Sequence, residues 1–307
     1  MSAKVVNNIL ELVGETPVVK LNHMTAATDA GVYVKLESFN PAGSIKDRPG
    51  LYMIEKAEQE GKVGPGSVLI EATSGNTGIG LALAATVKRY PLIIVMPDNM
   101  SMERRKIIEA YGAQLVLTPA AEGMAGAVAE AGRLTESHSN YYWIRQFDNP
   151  ANPECHAVST AREILEQMGQ RLDAIVCGVG SGGTITGLAR VLKEQLPNII
   201  IAAVEPAASA ILSGGPVGAH KIQGIGAGFV PSVLNFKLID RIFRIEDEEA
   251  IRTCKELARR EGLLLGISSG AAVSAALQLA REKGEAGTIL AIAPDGAEKY
   301  LSTELFD

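Results

Sequence analysis

CGVGSGGTITG, running from Cys177 to Gly187, follows the apolar run DAIV and leads into a helical pattern. Five glycines in these eleven residues exceed what a plain turn needs for its dihedral angles. Successive backbone N–H groups can point inward at an anion there, and the next helix adds its positive end. Ser181 and Thr184 add hydroxyl donors, so the stretch reads as a phosphate cradle. Gly178, Gly180 and Gly183 also satisfy G-x-G-x-x-G, and Glu205 ends the following strand where a ribose-binding acid would sit. Taken alone, the cradle therefore allows an NAD-dependent oxidoreductase. Either way it sits between a strand and a helix, which makes the fold α/β.

The rest of the chain repeats that alternation. VYVKLES, SVLIEATS, LIIVMP, AQLVLTP, AIVCGVG, IIIAAVE and TILAIAP read as strands buried on both faces, separated by helical patterns. Asn152 is expected to cap a helix with Pro153 in its first position, Ser101 to open one that stops at Gly112, and Asp247 to precede one that closes at Gly262. Strand–helix–strand units imply parallel sheets with right-handed crossovers. At 307 residues the chain exceeds one hydrophobic core, so two domains are expected. The boundary is placed in QFDNPANP (Gln146 to Pro153), giving residues 1–150 and 151–307. An early strand, about residues 18–39, is expected to pair with the other domain.

Bulk properties exclude several classes. The chain is 47% apolar and 21% charged, with a net charge of −6, which offers nothing to a nucleic acid or an anionic membrane. No apolar run reaches the roughly 18 residues of a membrane helix. Cys155, Cys177 and Cys254 are scattered, as are four histidines, so neither a disulfide framework nor a metal site is expected. MSAKVVNNILELVG lacks the pattern of a secretory signal, and a cytoplasmic protein is expected.

Two further turns carry unusual chemistry. EATSGNTGIGLALAA (Glu71 to Ala85) ends a strand and opens a helix through three hydroxyls and a carboxamide, neutral donors suited to a carboxylate. KLESFNPAGSIKDRPG (Lys35 to Gly50) places Lys46 in turn chemistry. Pro49 is tolerated only in the first helical turn, so the helix starts no earlier than with Lys46 as its cap. A lysine partly desolvated among helix amides has its neutral amine favoured, and such an amine can condense with a carbonyl. A weaker fourth feature, LLLGISSGAAVSAAL (Leu263 to Leu277), reads as a strand-like run turning into a helix, with a serine there serving as its cap or facing a ligand, the cap being the favoured reading.

Together these motifs resemble the cysteine synthase (O-acetylserine sulfhydrylase) family of fold-type II pyridoxal phosphate (PLP) enzymes over essentially the whole chain. KLESFNPAGSIKDR, TSGNTG, GSGGT, HKIQGIGAGF, GISSGAA and YLST stand in the family's order and spacing. The resemblance implies a two-domain, tryptophan synthase β-subunit-like fold. It implies that Lys46 holds PLP as an internal aldimine, that Asn76 meets the phenolic oxygen, and that Gly180, Ser181, Gly182, Gly183 and Thr184 hold the phosphate. It further implies Ser268 on the pyridine nitrogen, Thr73, Ser74, Asn76, Thr77 and Gln146 at the substrate, and Gly224 lining the substrate side. The implied reaction is β-replacement through an α-aminoacrylate, O-acetyl-L-serine and sulfide giving L-cysteine and acetate. A homodimer and binding of the serine acetyltransferase C-terminal tail are also implied.

Departures from the family are few. Ser181 stands where Thr is usual, Pro49 after KDR is unusual, and DGAEK (Asp295 to Lys299) differs from the usual acid-plus-Arg ending. Cystathionine β-synthase-like or cysteine-desulfurating, H2S-producing enzymes share all the cofactor residues and remain the alternatives. An NAD-dependent oxidoreductase would leave Lys46, Asn76 and Ser268 without a role.

Overall fold

The computed structural model describes residues 5–27, 29–285, 287–303 and 305. The first four residues of the amino-terminal stretch read above lie outside them. In chain order come β1 (Val18–Lys20), β2 (Gly31–Leu36), α1 (Asp47–Gln59), β3 (Val68–Ala72), α2 (Asn76–Lys88), β4 (Leu92–Pro97), α3 (Met102–Ala110), β5 (Gln114–Thr118), α4 (Gly123–Glu136) and β6 (Tyr141–Trp143). The chain continues through α5 (Ala151–Cys155), α6 (Ala161–Met168), β7 (Ala174–Gly178), α7 (Gly183–Gln195), β8 (Ile200–Pro206), β9 (Arg241–Ile245), α8 (Asp247–Glu256), α9 (Ile267–Lys283) and β10 (Thr288–Ala293).

Among the described residues these strands form two sheets. The larger has the order β1-β2-β10-β7-β8-β9 and the smaller β5-β4-β3-β6. Every pairing is parallel except β1 with β2, where Val19 faces Val34. Apolar side chains cover both faces of each sheet, as continuous apolar runs such as LIIVMP require. In the larger sheet the order runs outward from β7 to β8 and β9 on one side, and to β10 on the other. In the smaller sheet β3 occupies the same kind of position, between β4 and β6. Ligands of open α/β sheets bind beyond the carboxyl ends of strands at such switch points. The glycine-rich cradle follows β7 and the TSGNTG loop follows β3.

Several local expectations are corrected. β5 is an edge strand with two exposed residues, since nothing pairs beyond it, so it is not buried on both faces. LLLGISS forms no strand: Leu265 makes a single bridge to Gly296, and α9 begins at Ile267. α5 begins at Ala151, two residues ahead of the expected start. Pro150 is the N-cap residue, Asn149 Oδ1 just ahead of it accepts from Ala151 N at 3.0 Å, and the Asn152 side chain turns inward. β9 escapes a periodicity reading because RIFRI is short, sits at the sheet edge and carries two arginines spaced three apart, which breaks the two-residue alternation of a strand.

Candidate active site

The turns after β2, β3 and β7 and the start of α9 converge on one cavity of about 700 Å³. Every site residue that the family resemblance implies borders it except Gly183, which lies behind Gly182 against the Asn152 amide. Four helices point their N-termini at this space: α1, α2, α7 and α9. None of the four has a side-chain cap; the first N–H groups of α1 and α9 are taken by backbone carbonyls such as Ser44 O and Gly266 O, which leaves α2 and α7 as the ends that face the cavity uncapped. Ser268, favoured as a cap, caps nothing and lines the cavity instead.

Lys46 is the N-cap residue of α1, as Pro49 requires. It is half-buried, and desolvation lowers its proton affinity from the ordinary lysine value, only partly offset by the Cys155 thiol and Asp295. Its turn is held by charges within the same motif. Arg48 Nε donates to Glu37 Oε2 at 2.7 Å and its Nη1 to Glu163 Oε1 at 2.6 Å, while Lys35 Nζ donates to Glu163 Oε2 at 2.9 Å. The buried Arg48 thereby ties the start of α1 to α6. Burial works against the Glu163 charge, but Arg48 and Lys35 outweigh it and hold the carboxyl down at about 2.

In the TSGNTG loop, Thr73 Oγ1 accepts from Gly75 N at 3.0 Å, and Thr77 Oγ1 donates to Gln146 Oε1 at 2.7 Å. Gln146 Nε2 donates to Ala72 O at 3.0 Å, so the two strand ends grip each other across the small sheet. Beneath them Glu71 accepts from Gln146 N at 3.4 Å, and burial pushes its carboxyl up to about 8. Arg104, from α3, packs directly on Gly75, leaving no room for a β-carbon there.

In the glycine-rich cradle, Gly182 has φ +81°, a conformation that favours glycine. Gly180 lies on the carbonyl of Gly224. The Asn152 Nδ2 donates to Ser181 Oγ at 3.0 Å and to Gln146 O at 2.8 Å, joining the two loops. Thr184 Oγ1 lies 3.3 Å from His156 Nε2, whose other nitrogen meets Thr160 Oγ1 at 2.9 Å. Burial holds His156 well below the ordinary histidine value, so it is neutral. The sequence treated the histidines as dispersed; His156 sits on one π-helical turn, a feature with no sequence signature, facing the cradle. Cys177 lines the cavity wall with a thiol pushed far up by burial, and all three cysteines are buried and free. Glu205 is committed within its own loop, its carboxylate accepting from Leu212 N at 2.7 Å and Ser213 N at 3.1 Å, which removes the ribose partner a dinucleotide needs.

A lysine amine between two uncapped anion sites defines a class, and the sequence comparisons agree. The family model described as "Pyridoxal-phosphate dependent enzyme" matches residues 9–295, and the chain belongs to that family. Within it, the cysteine synthase of Staphylococcus aureus is 50% identical over 307 residues, covering 100% of this chain and 99% of that protein. The structure of cysteine synthase from Entamoeba histolytica superposes with a TM-score of 0.95 at 41% identity, covering 100% of this chain and 92% of its own. A hydrogen sulfide-producing enzyme from Fusobacterium nucleatum gives 0.94 at 45% identity, covering 97% of this chain and 100% of its own.

The residues fit pyridoxal phosphate on structural grounds. The uncapped α7 N-terminus with Ser181 and Thr184 suits a dianionic phosphate, and the half-buried Lys46 amine suits a carbonyl. The carboxamide of Asn76, at the start of α2, borders the cavity, and its hydrogen-bonding capacity is not exhausted among the described residues: Nδ2 makes one bond, to Asp295, and the oxygen makes none.

Proposed function

We propose that the protein is a cysteine synthase, replacing the acetate of O-acetyl-L-serine with sulfide to give L-cysteine. The observation that carries this reading is the position of Lys46, a desolvated amine facing the same cavity as the uncapped N-termini of α7 and α2. On this reading Lys46 holds the cofactor, and Gly180, Ser181, Gly182, Gly183 and Thr184 receive its phosphate. Asn76 and Ser268 meet its ring substituents. Thr73, Ser74, Thr77 and Gln146 bind the substrate carboxylate at the α2 N-terminus, with Gly224 on the substrate side. Bound pyridoxal phosphate supplies the electron sink that labilises the α-proton and the β-substituent. The chain supplies the base: Lys46 Nζ, its proton affinity lowered by desolvation, takes the α-proton. The Thr77–Gln146 bond orients the carboxylate site, and closing that loop over the substrate excludes water. A serine on the pyridine nitrogen, rather than a carboxylate, favours elimination and replacement over transamination.

Residues 1–150 and 151–307 are read as the two domains, with the early strands β1 and β2 paired into the sheet of the second, a cytoplasmic homodimer as the working assembly, and the tail of serine acetyltransferase as an occupant of the same carboxylate site. A second reading, release of H2S from cysteine, is supported by the likeness to the F. nucleatum enzyme. Product identification separates the two. O-acetylserine with sulfide should yield cysteine and acetate. If only cysteine is consumed, with H2S released, the second reading replaces the first. A protein that leaves both substrates untouched would overturn the proposal.

A further inference from the structure

The end of β10 holds a buried acid to which the proposed mechanism gives no role. Asp295 is fully buried, yet it reaches the Lys46 turn, the start of α2 and the start of α9. Its carbonyl accepts from Gly266 N at 3.1 Å and from Ser269 Oγ at 3.3 Å, fixing the start of α9 on either side of Ser268. Its backbone bridges to Ser44 in the Lys46 turn, and Ile45 N donates to the neighbouring Pro294 O at 2.8 Å. Its side chain crosses to the other sheet: Oδ2 accepts from Asn76 Nδ2 at 2.7 Å and from the Tyr300 hydroxyl at 2.8 Å. The Arg104 guanidinium, stacked 4.8 Å over the Tyr300 ring, brings Nη2 to 4.0 Å from the same oxygen.

The chemistry of this arrangement is directional. Asp295 Oδ2 accepts from Asn76 Nδ2, so the Asn76 amide turns its nitrogen toward Asp295. The second N–H of that amide has no acceptor among the described residues. We infer that Asp295 is a positioning residue: it sets the orientation of the Asn76 carboxamide, so that an N–H is the group offered to the phenolic oxygen of the cofactor. Tyr300 and Arg104 hold the carboxylate in place for that purpose. This inference rests on the reading that the cofactor occupies the cavity. It also gives DGAEK, the departure at the chain's end, a task at the site.

Two properties of the purified holoenzyme test it: the position of the visible cofactor band, and the rate at which cofactor is lost to a scavenging trap. Asp295→Asn lets the introduced amide donate as well as accept, so the Asn76 amide is no longer oriented. The band should shift and cofactor loss should quicken about tenfold, the scale of a hydrogen bond to a charged group. Tyr300→Phe keeps the carboxylate and removes one of its donors, with a smaller acceleration expected, about threefold. In an Asn76→Ala background both substitutions should add nothing further. Should either variant speed cofactor loss equally in both backgrounds, or should both leave loss and band unchanged, Asp295 is not acting through Asn76 and the inference is overturned. Should Asp295→Asn fail to fold, Tyr300→Phe alone decides between these outcomes. A wild-type protein with no band that borohydride bleaches would instead remove the underlying cofactor reading, and the inference with it.

Discussion

The backbone of Gly80 lies against the carbonyl of Lys46, so closely that a β-carbon on Gly80 would stand 2.5 Å from that oxygen. The contact is reciprocal, for a β-carbon on Gly50 would meet the Gly80 carbonyl carbon at 2.7 Å. Helices α1 and α2 therefore touch backbone to backbone where each begins to leave the cavity. The lysine of one loop is registered against the helix that carries the other.

Gly80→Ala should accordingly do more than destabilise. Overpacking of a tight core contact costs about 1–3 kcal/mol. Here the displaced atoms belong to Lys46 itself, so cofactor occupancy should fall with stability. Urea unfolding alongside the visible absorbance of the purified protein checks both. A stable Gly80→Ala protein with full occupancy would show that the α1–α2 contact has slack.

Lys46→Ala should abolish the covalent link to the cofactor. Borohydride treatment of the wild type should leave the reduced cofactor on the peptide containing Lys46, visible by mass spectrometry, and none on the variant. Turnover should drop at least about a thousandfold with loss of the base. The fold should survive, since removing a desolvated, unpaired amine relieves a burial cost. Wild-type turnover in this variant would contradict the proposed mechanism.

Thr77→Ala removes the hydroxyl that donates to Gln146 Oε1 but touches nothing in the glycine-rich cradle. KM for the amino-acid substrate should rise several-fold, up to about tenfold, in line with the loss of one hydrogen bond that orients the carboxylate site. The cofactor spectrum should stay as in the wild type. A colourless Thr77→Ala protein would move this loop from the substrate to the cofactor.

What the sequence made legible was local. A strand, a turn of glycine and hydroxyl residues and a helix can be recognised from neighbours alone, and the cradle at Gly180, the TSGNTG loop and Lys46 as a helix cap were all of that kind. What stayed hidden depends on distant partners. Arg48 reads as an ordinary motif residue until Glu163, 115 positions away, takes its guanidinium. Asn152 reads as a cap because asparagine before proline usually is one; tertiary structure instead recruits it to join Ser181 and Gln146. Arg104 is buried on Gly75 because α3 packs over the loop, which no helical periodicity reveals.

Glu71 makes a pH prediction. Its carboxyl lies beneath the Thr77–Gln146 contact, and burial raises it to about 8 against a value near 4.5 in an exposed chain. Between those values the folded state binds the proton that the unfolded state has released. Stability from this group is therefore fully present below about pH 4.5 and lost as pH rises toward 8. Asp47, raised to about 7, adds a loss of the same sign, so only a comparison isolates Glu71. Glu71→Gln keeps the shape without the titration. Its unfolding free energy should fall less steeply than that of the wild type from pH 5 to 8.5, by an amount on the order of 3 kcal/mol. Parallel pH profiles for the two proteins would mean that Glu71 is charged in the folded state, with Arg145 and Gln146 N–H groups compensating its burial.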